Sequence, residues 1–94
     1  MLRIDPSRQA RKFLEALQIA NPKHARQIAS KIQALRENPQ PPDAAPMKGK
    51  AATFWRADTG EYRLIYRIEG DTLKLAVIGK RNDAAVYRRL ERQL

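Results

Sequence analysis

The apolar residues in the first part of the chain recur every three or four positions, which is the spacing of a helix with one buried face. Asp5–Pro6 and Asn21–Pro22 each predict a helix start, because the polar side chain can cap the first turn and proline is tolerated there. Asn38–Pro39 ends the second helix. A short apolar run at Leu2–Ile4 predicts a first strand. The inward-facing positions are Ala10, Phe13, Leu14, Leu17, Ala25, Ile28, Ala29, Ile32 and Leu35.

From Ala52 onward the apolar spacing changes to two, which is typical of strands. In "YRLIYRI" one face carries Tyr62, Leu64, Tyr66 and Ile68, and the other carries Arg63, Ile65 and Arg67. A strand is also expected in "ATFWRA" before it, after which Asp58–Gly60 makes a turn. A third strand, "TLKLAVI", follows a hairpin turn at Glu69–Asp71, and the spacing places Leu73, Leu75 and Val77 on one face.

The remaining segments complete an α+β fold. Four of the six prolines lie at positions 39, 41, 42 and 46, in a short crossing from helices to sheet. Asn82 or Asp83 can cap a last helix that holds Val86, Tyr87 and Leu90. We therefore expect one domain over residues 1–94: a helical hairpin packed on a small antiparallel β-sheet, followed by a short C-terminal helix.

Net charge is the compositional property that says most about the partners of this protein. Nineteen Lys and Arg residues face ten Asp and Glu, giving a formal net charge of +9, with an excess in both halves of the chain. Such a field attracts polyanions, which favours nucleic acid as a partner. A solvated basic surface, or one complementary to an acidic protein, is the alternative.

Several classes of protein are disfavoured. With no cysteine there is neither a disulfide nor a thiolate metal site, and neither a signal peptide nor an apolar run near ~20 residues is seen. We expect a cytoplasmic protein without a membrane partner. His24 is the only histidine, the carboxylates are scattered and the glycines occur singly, so we expect no metal and no cofactor. His24 is interpreted as a surface or packing residue, and Ser7 and Ser30 as helix residues.

Cations and aromatic residues carry the remaining chemistry. Arginine suits phosphate because its planar guanidinium binds two oxygens at once, and nucleic-acid bases stack on aromatic rings. Tyr62 and Tyr66 alternate with aliphatic residues and are expected in the core. Arg63, Arg81 and Tyr87 stand out because three neighbouring elements could bring them together.

The segments "GEYRLIYRI" and "GKRNDAAVYRRL" resemble the C-terminal half of the RelE/ParE toxins of type II toxin–antitoxin pairs. RelE-type members are endonucleases that cut messenger RNA on the ribosome. The resemblance implies catalytic roles for Arg63 in the "YRL" strand, Arg81 in the "GKR" turn and Tyr87 in "VY". It covers nearly the whole chain, but its specific part is about residues 52–90.

The same resemblance implies further cations that hold RNA. The family places lysines on the strand before "YRL"; here the nearest counterpart is Arg56, and Phe54 stands at the other position. Lys48 and Lys50 could substitute only if their loop folds back. The expected RNA-binding set is Lys48, Lys50, Arg56, Arg67 and Lys80.

The implied reaction is attack of the RNA 2′-hydroxyl on the adjacent phosphorus, which needs no metal if cations stabilise the phosphoryl oxygens. Arg63 and Arg81 would do this, Tyr87 would stack on a base or help activate the hydroxyl, and Arg56 and Lys50 would hold flanking phosphates. The expected partners are a cognate antitoxin that covers the basic face, messenger RNA on the ribosome, and operator DNA only through the antitoxin complex.

Two alternatives stay open. ParE-type relatives share the scaffold but resemble inhibitors of DNA gyrase that do not cut RNA; they generally lack the Arg/Arg/Tyr set. A degenerate relative would only bind its antitoxin and operator DNA.

Overall fold

The computed structural model describes all 94 residues and forms an α+β fold, as predicted. Five strands make one sheet in the order β1-β5-β4-β3-β2. The elements are β1 (Arg3–Pro6), α1 (Arg8–Ala20), α2 (Pro22–Glu37), β2 (Ala45–Pro46), β3 (Trp55–Thr59), β4 (Tyr62–Glu69), β5 (Thr72–Lys80) and α3 (Ala85–Glu91), with a 3₁₀ turn at Gly49–Ala51. None of the helices is both long and apolar enough to cross a membrane.

The two edges of the sheet differ from the expected antiparallel arrangement. β2 is a two-residue strand that was not predicted, and it pairs antiparallel with β3. β1 pairs parallel with β5, with Ile4 opposite Leu73, so the sheet is mixed. The chain leaving β1 stays beside β5, because the Ser7 N–H donates to the Leu75 carbonyl at 2.8 Å.

The first helix begins later than predicted. Asp5 and Pro6 are the last residues of β1, and Ser7 is the N-cap of α1. Its hydroxyl accepts the Ala10 N–H at 3.1 Å and donates to the Ala76 carbonyl at 2.6 Å, so one side chain joins the helix start to the sheet. The predicted start of α2 is confirmed, since the Asn21 side chain accepts the His24 N–H.

One face of the sheet, called the hairpin face, packs on α1 and α2. The predicted alternation in β4 is confirmed here, because Tyr62, Leu64 and Tyr66 are all buried in this core. The other buried members are Ala10, Ile28, Leu35, Ala57, Leu73, Leu75 and Ile78.

Val77 does not join this core, so its predicted face is wrong. Ile65 pairs with Val77 while Tyr66 pairs with Leu75, which leaves Ala76 as the extra residue of a β-bulge. The bulge reverses the alternation, so that Ile78 lies on the hairpin face and Val77 on the opposite one.

That opposite face, called the α3 face, carries a second apolar core. Its buried residues are Ala51, Phe54, Ile65, Ala76, Val77, Val86 and Leu90. The last two belong to α3, which therefore covers part of a face that the sequence predicted only as the carrier of Arg63 and Arg67.

We predict that Ser7→Ala lowers the free energy of unfolding by about 1–2 kcal/mol, because it removes a helix cap and a hydrogen bond to the sheet. Ser30→Ala is the matched control, since Ser30 is exposed within α2, and it should stay within about 0.5 kcal/mol of the wild type. Urea unfolding measures both. Equal stability of the two variants would contradict the bridging role of Ser7.

We also predict a loss of stability at alkaline pH. The buried Tyr66 hydroxyl donates to the Pro39 carbonyl. Burial, and secondarily the charge of Asp43, raises the pKa of Tyr66 from 10.0 to about 12. The folded state thus holds this proton more tightly than the unfolded chain, so the contribution is complete below pH 10 and lost between pH 10 and 12. Denaturant unfolding from pH 9 to 12 should show a shallower decline for Tyr66→Phe; an unchanged decline would contradict the assignment.

Candidate nucleic-acid interface

Arg63 and Tyr87 meet on the α3 face. Arg63 pairs in register with Asp58 across β3 and β4. Its Nε donates to Asp58 Oδ1 at 2.8 Å and its Nη2 to Oδ2 at 3.1 Å, while Nη1 donates to the Tyr87 hydroxyl. The guanidinium carbon lies 5.9 Å from the centroid of the Tyr87 ring. The fold therefore brings two of the three predicted catalytic residues into direct contact.

Arg81 lies close enough to join this cluster electrostatically. It directly follows β5, and its N–H donates to the Glu61 carbonyl at 2.9 Å in the neighbouring turn. The hydrogen bond from Arg63 holds the pKa of Asp58 below its usual value, and the positive charges of Arg63, Arg81 and Arg56 lower this pKa further. We call Arg56, Asp58, Arg63, Arg81 and Tyr87 the arginine cluster.

Asp58 is the member that sequence reasoning missed, because it was assigned to the turn. β3 instead continues to Thr59, and the turn begins at Gly60, whose φ of +57° lies in the left-handed region. A hairpin closed at Gly60–Glu61 places Asp58 opposite Arg63. Placing the hairpin turn at Gly60–Glu61 and pairing the two strands outward from it would have predicted the Asp58–Arg63 pair.

The loop that carries Lys48 and Lys50 folds back to Tyr87, which was the condition for these lysines to stand in for the lysines of the family. The Met47 N–H donates to the Phe54 carbonyl at 2.9 Å, and the 3₁₀ turn follows. The two lysines and Tyr87 line one open groove of about 700 Å³. Its other lining residues are Met47, Ala51, Leu90, Glu91 and Leu94, so most of the residues that line the groove are apolar.

Arg67 and Lys80 lie outside the arginine cluster. Arg67 is on the α3 face but four residues beyond Arg63, about 13 Å along the strand; it bonds Glu69 at 2.6 Å and lies over the Phe54 ring at 6.0 Å. Lys80 pairs in register with Tyr62, so it belongs to the hairpin face.

His24 is a packing residue, as the sequence indicated. Its Nδ1 shares a 2.8 Å hydrogen bond with the buried Tyr62 hydroxyl, and the two rings pack edge to face. No three His, Asp or Glu side chains come together as a group that could hold a metal ion.

The position of Tyr87 depends on a close approach of α3 to the sheet at Gly79. A Cβ at Gly79 would stand 2.6 Å from Val86 Cγ2, closer than such atoms can approach, and 3.7 Å from Arg89 Nη1. Gly79 is also the register partner of Arg63. The absence of a side chain there lets Val86 reach the core, and the next residue then contacts Arg63.

A comparison with protein families identifies the class. The family described as the ParE toxin of type II toxin–antitoxin systems, parDE, matches residues 4–85. The chain therefore belongs to the ParE toxin family, within the RelE/ParE toxins that its motifs resemble. No curated protein sequence matches it.

Solved toxins share the fold. The YoeB/ParE toxin from Agrobacterium tumefaciens is 20% identical, with a TM-score of 0.75 over 84% of this chain and 98% of that one. The toxin–antitoxin complex RelBE2 from Mycobacterium tuberculosis is 23% identical, with a TM-score of 0.71 over 85% of this chain and 98% of that one. The YoeB–YefM complex from Staphylococcus aureus is 21% identical, with a TM-score of 0.71 over 83% of this chain and 94% of that one.

We predict that Gly79→Ala lowers the free energy of unfolding by about 1–3 kcal/mol and separates Tyr87 from Arg63, because the added methyl collides with Val86. Urea unfolding and a crystal structure of the variant measure the two effects. In the double variant with Val86→Ala the collision is relieved, so the loss should be smaller than the sum of the single losses. Additive losses would contradict a collision at this point.

Proposed function

We propose that this toxin is a metal-independent endoribonuclease that cleaves messenger RNA on the ribosome. The observation that supports the proposal most is the contact between Arg63 and Tyr87, with Arg81 and Arg56 beside it. Arg63 donates to the Tyr87 hydroxyl and to Asp58, and the positive charges of Arg56 and Arg81 also act on Asp58. Three guanidinium groups with one carboxylate leave a net positive charge suited to a phosphate.

The proposed reaction uses RNA as its own nucleophile. The 2′-hydroxyl attacks the adjacent phosphorus, the bond to the 5′-oxygen breaks, and the products are a 2′,3′-cyclic phosphate and a 5′-hydroxyl. Arg63 and Arg81 stabilise the charge that grows on the phosphoryl oxygens. Tyr87 stacks on a base or helps to activate the hydroxyl, and one arginine steadies the leaving oxygen.

Flanking nucleotides would bind in the groove beside Tyr87. Lys48 and Lys50 line it and can hold phosphates, while Met47 and Leu90 offer apolar surface to a base. Arg56 would hold a phosphate on the other side of the cluster. We propose no role in this site for Arg67, which lies about 13 Å along the strand from Arg63, or for Lys80, which lies on the hairpin face.

The proposed partner is a cognate antitoxin. The similar structures from Mycobacterium tuberculosis and Staphylococcus aureus are described as toxin–antitoxin complexes. An acidic or apolar segment that folds on binding would suit the basic α3 face. We further propose a cytoplasmic location, and binding to operator DNA only through the antitoxin.

Inhibition of DNA gyrase is the second candidate, because the matching family is named for ParE. The pairing of Arg63 with Asp58 also favours it, since the carboxylate neutralises part of the charge that a phosphate would need. After induction, an early arrest of DNA replication with DNA damage would favour this candidate, whereas an early arrest of protein synthesis favours the nuclease.

We predict that Arg81→Ala lowers the cleavage rate of ribosome-bound messenger RNA by about 10²–10³-fold, because it removes one charge that stabilises the transition state. Arg11→Ala is the control, since Arg11 is exposed on α1, and it should cleave like the wild type. Primer extension measures the products, and thermal unfolding checks that both variants fold.

Replacing the attacking 2′-hydroxyl by hydrogen at the cut site should abolish cleavage there. Continued cutting at that bond, or full activity of Arg81→Ala, would contradict the mechanism.

A further inference from the structure

Asp58 is the one carboxylate within the arginine cluster, and no step of the proposed reaction uses it. We propose that Asp58 is a positioning residue: its carboxylate holds one edge of the Arg63 guanidinium and thereby directs the other edge, beside the Tyr87 hydroxyl, toward a phosphate of the RNA. The inference rests on the proposed function, since it assigns the phosphate to the same site.

The hydrogen bonds of Arg63 show which edge of its guanidinium is free to bind a phosphate. A guanidinium has five N–H groups, arranged as a side edge of Nε and Nη2 and an end edge of Nη1 and Nη2. Asp58 takes the side edge with both oxygens, and the Tyr87 hydroxyl takes one N–H of Nη1. One further N–H on each Nη nitrogen has no partner in the protein.

Burial keeps Arg63 in this orientation. The Arg63 side chain is only 13% exposed and that of Asp58 35%. The pair is also fixed by the strand register, because the two residues are directly opposite in the hairpin. A long side chain that is held at the backbone and at one edge loses little further freedom when a phosphate binds.

The Asp58 carboxylate also has an unfavourable effect, which is on the attraction of the cluster for RNA. It neutralises one of the positive charges of Arg56, Arg63 and Arg81, and so weakens the attraction of the cluster for an anion. Removing the charge at position 58 should therefore tighten RNA binding. It should also slow the reaction, because the Arg63 guanidinium is no longer held in its orientation. If Asp58 had a purely structural role, its loss would lower both the RNA affinity and the cleavage rate.

The experiment uses Asp58→Asn, which keeps the shape of the side chain. Binding is measured with an RNA oligonucleotide that carries one 2′-deoxy nucleotide at the cut site. We expect Kd to fall about fivefold at low salt, and kcat for messenger RNA on the ribosome to fall on the order of 100-fold. Asp58→Glu retains the charge, so its Kd should return to the wild-type value.

Asp71→Asn is the matched control. It removes the same charge from an exposed residue in the turn between β4 and β5, so kcat should stay unchanged and Kd within about twofold. If the wild type cleaves and Asp58→Asn cleaves as fast, or if Asp58→Asn binds the RNA more weakly than the wild type, the proposal is overturned.

A readout without RNA cleavage separates this inference from the proposed function. The Nε–H of Arg63 should give a protected signal in ¹⁵N NMR spectra of the wild type and of Asp71→Asn, and should lose its protection in Asp58→Asn. Loss of this protection with tighter RNA binding supports the positioning role even if the wild type leaves messenger RNA intact, a result that would contradict the nuclease alone. An Arg63 signal that does not change in Asp58→Asn overturns the positioning role whatever the protein cleaves.

Discussion

The close packing of α3 on the sheet at Gly79 positions the functional groups of this chain. Val86 occupies the space that any other residue at position 79 would fill. With Val86 and Leu90 in the second core, the helix presents Tyr87 to the Arg63 guanidinium and to the groove lined by Lys48 and Lys50. Apolar packing thus sets the position of polar groups, of which Tyr87 is exposed and Arg63 is partly buried.

The charges of the chain act at two levels. The net charge of +9 produces a general attraction for polyanions, but most individual ion pairs lie at the surface and stabilise little. The Arg3–Asp71 pair, at 3.7 Å with side chains 81% and 75% exposed, is of this kind. The Arg63–Asp58 pair is shorter than this one, at 2.8 Å, and it is bidentate and partly buried, so its geometry is more tightly held.

The sequence predicted those features that local rules determine. The helical hairpin follows from apolar spacing and from Asn–Pro pairs, and the two faces of β4 follow from simple alternation. The bulge at Ala76, which moves Val77 to the α3 face, depends on pairing between strands and has no local signal. The same holds for Ser7, whose capping role is strengthened by a bond to a residue 69 positions away.

The site was predictable to a similar degree. Arg63, Arg81 and Tyr87 were found because their motifs resemble a known family, and the fold brings the first and last into contact. Asp58 was missed because its role depends on the register of the hairpin. The return of Lys48 and Lys50 to Tyr87 depends on the 3₁₀ turn and on the bond between Met47 and Phe54, neither of which the spacing of residues reveals.

The proposal that the α3 face of this toxin cuts translated messenger RNA can be tested in cells. The most direct measurement is a transcriptome-wide map of RNA ends shortly after the toxin is induced without its antitoxin. If the toxin cuts in this way, new 5′-hydroxyl ends should fall in frame within translated codons, and untranslated regions should stay whole. Intact messenger RNA in cells whose growth is nevertheless arrested would contradict it.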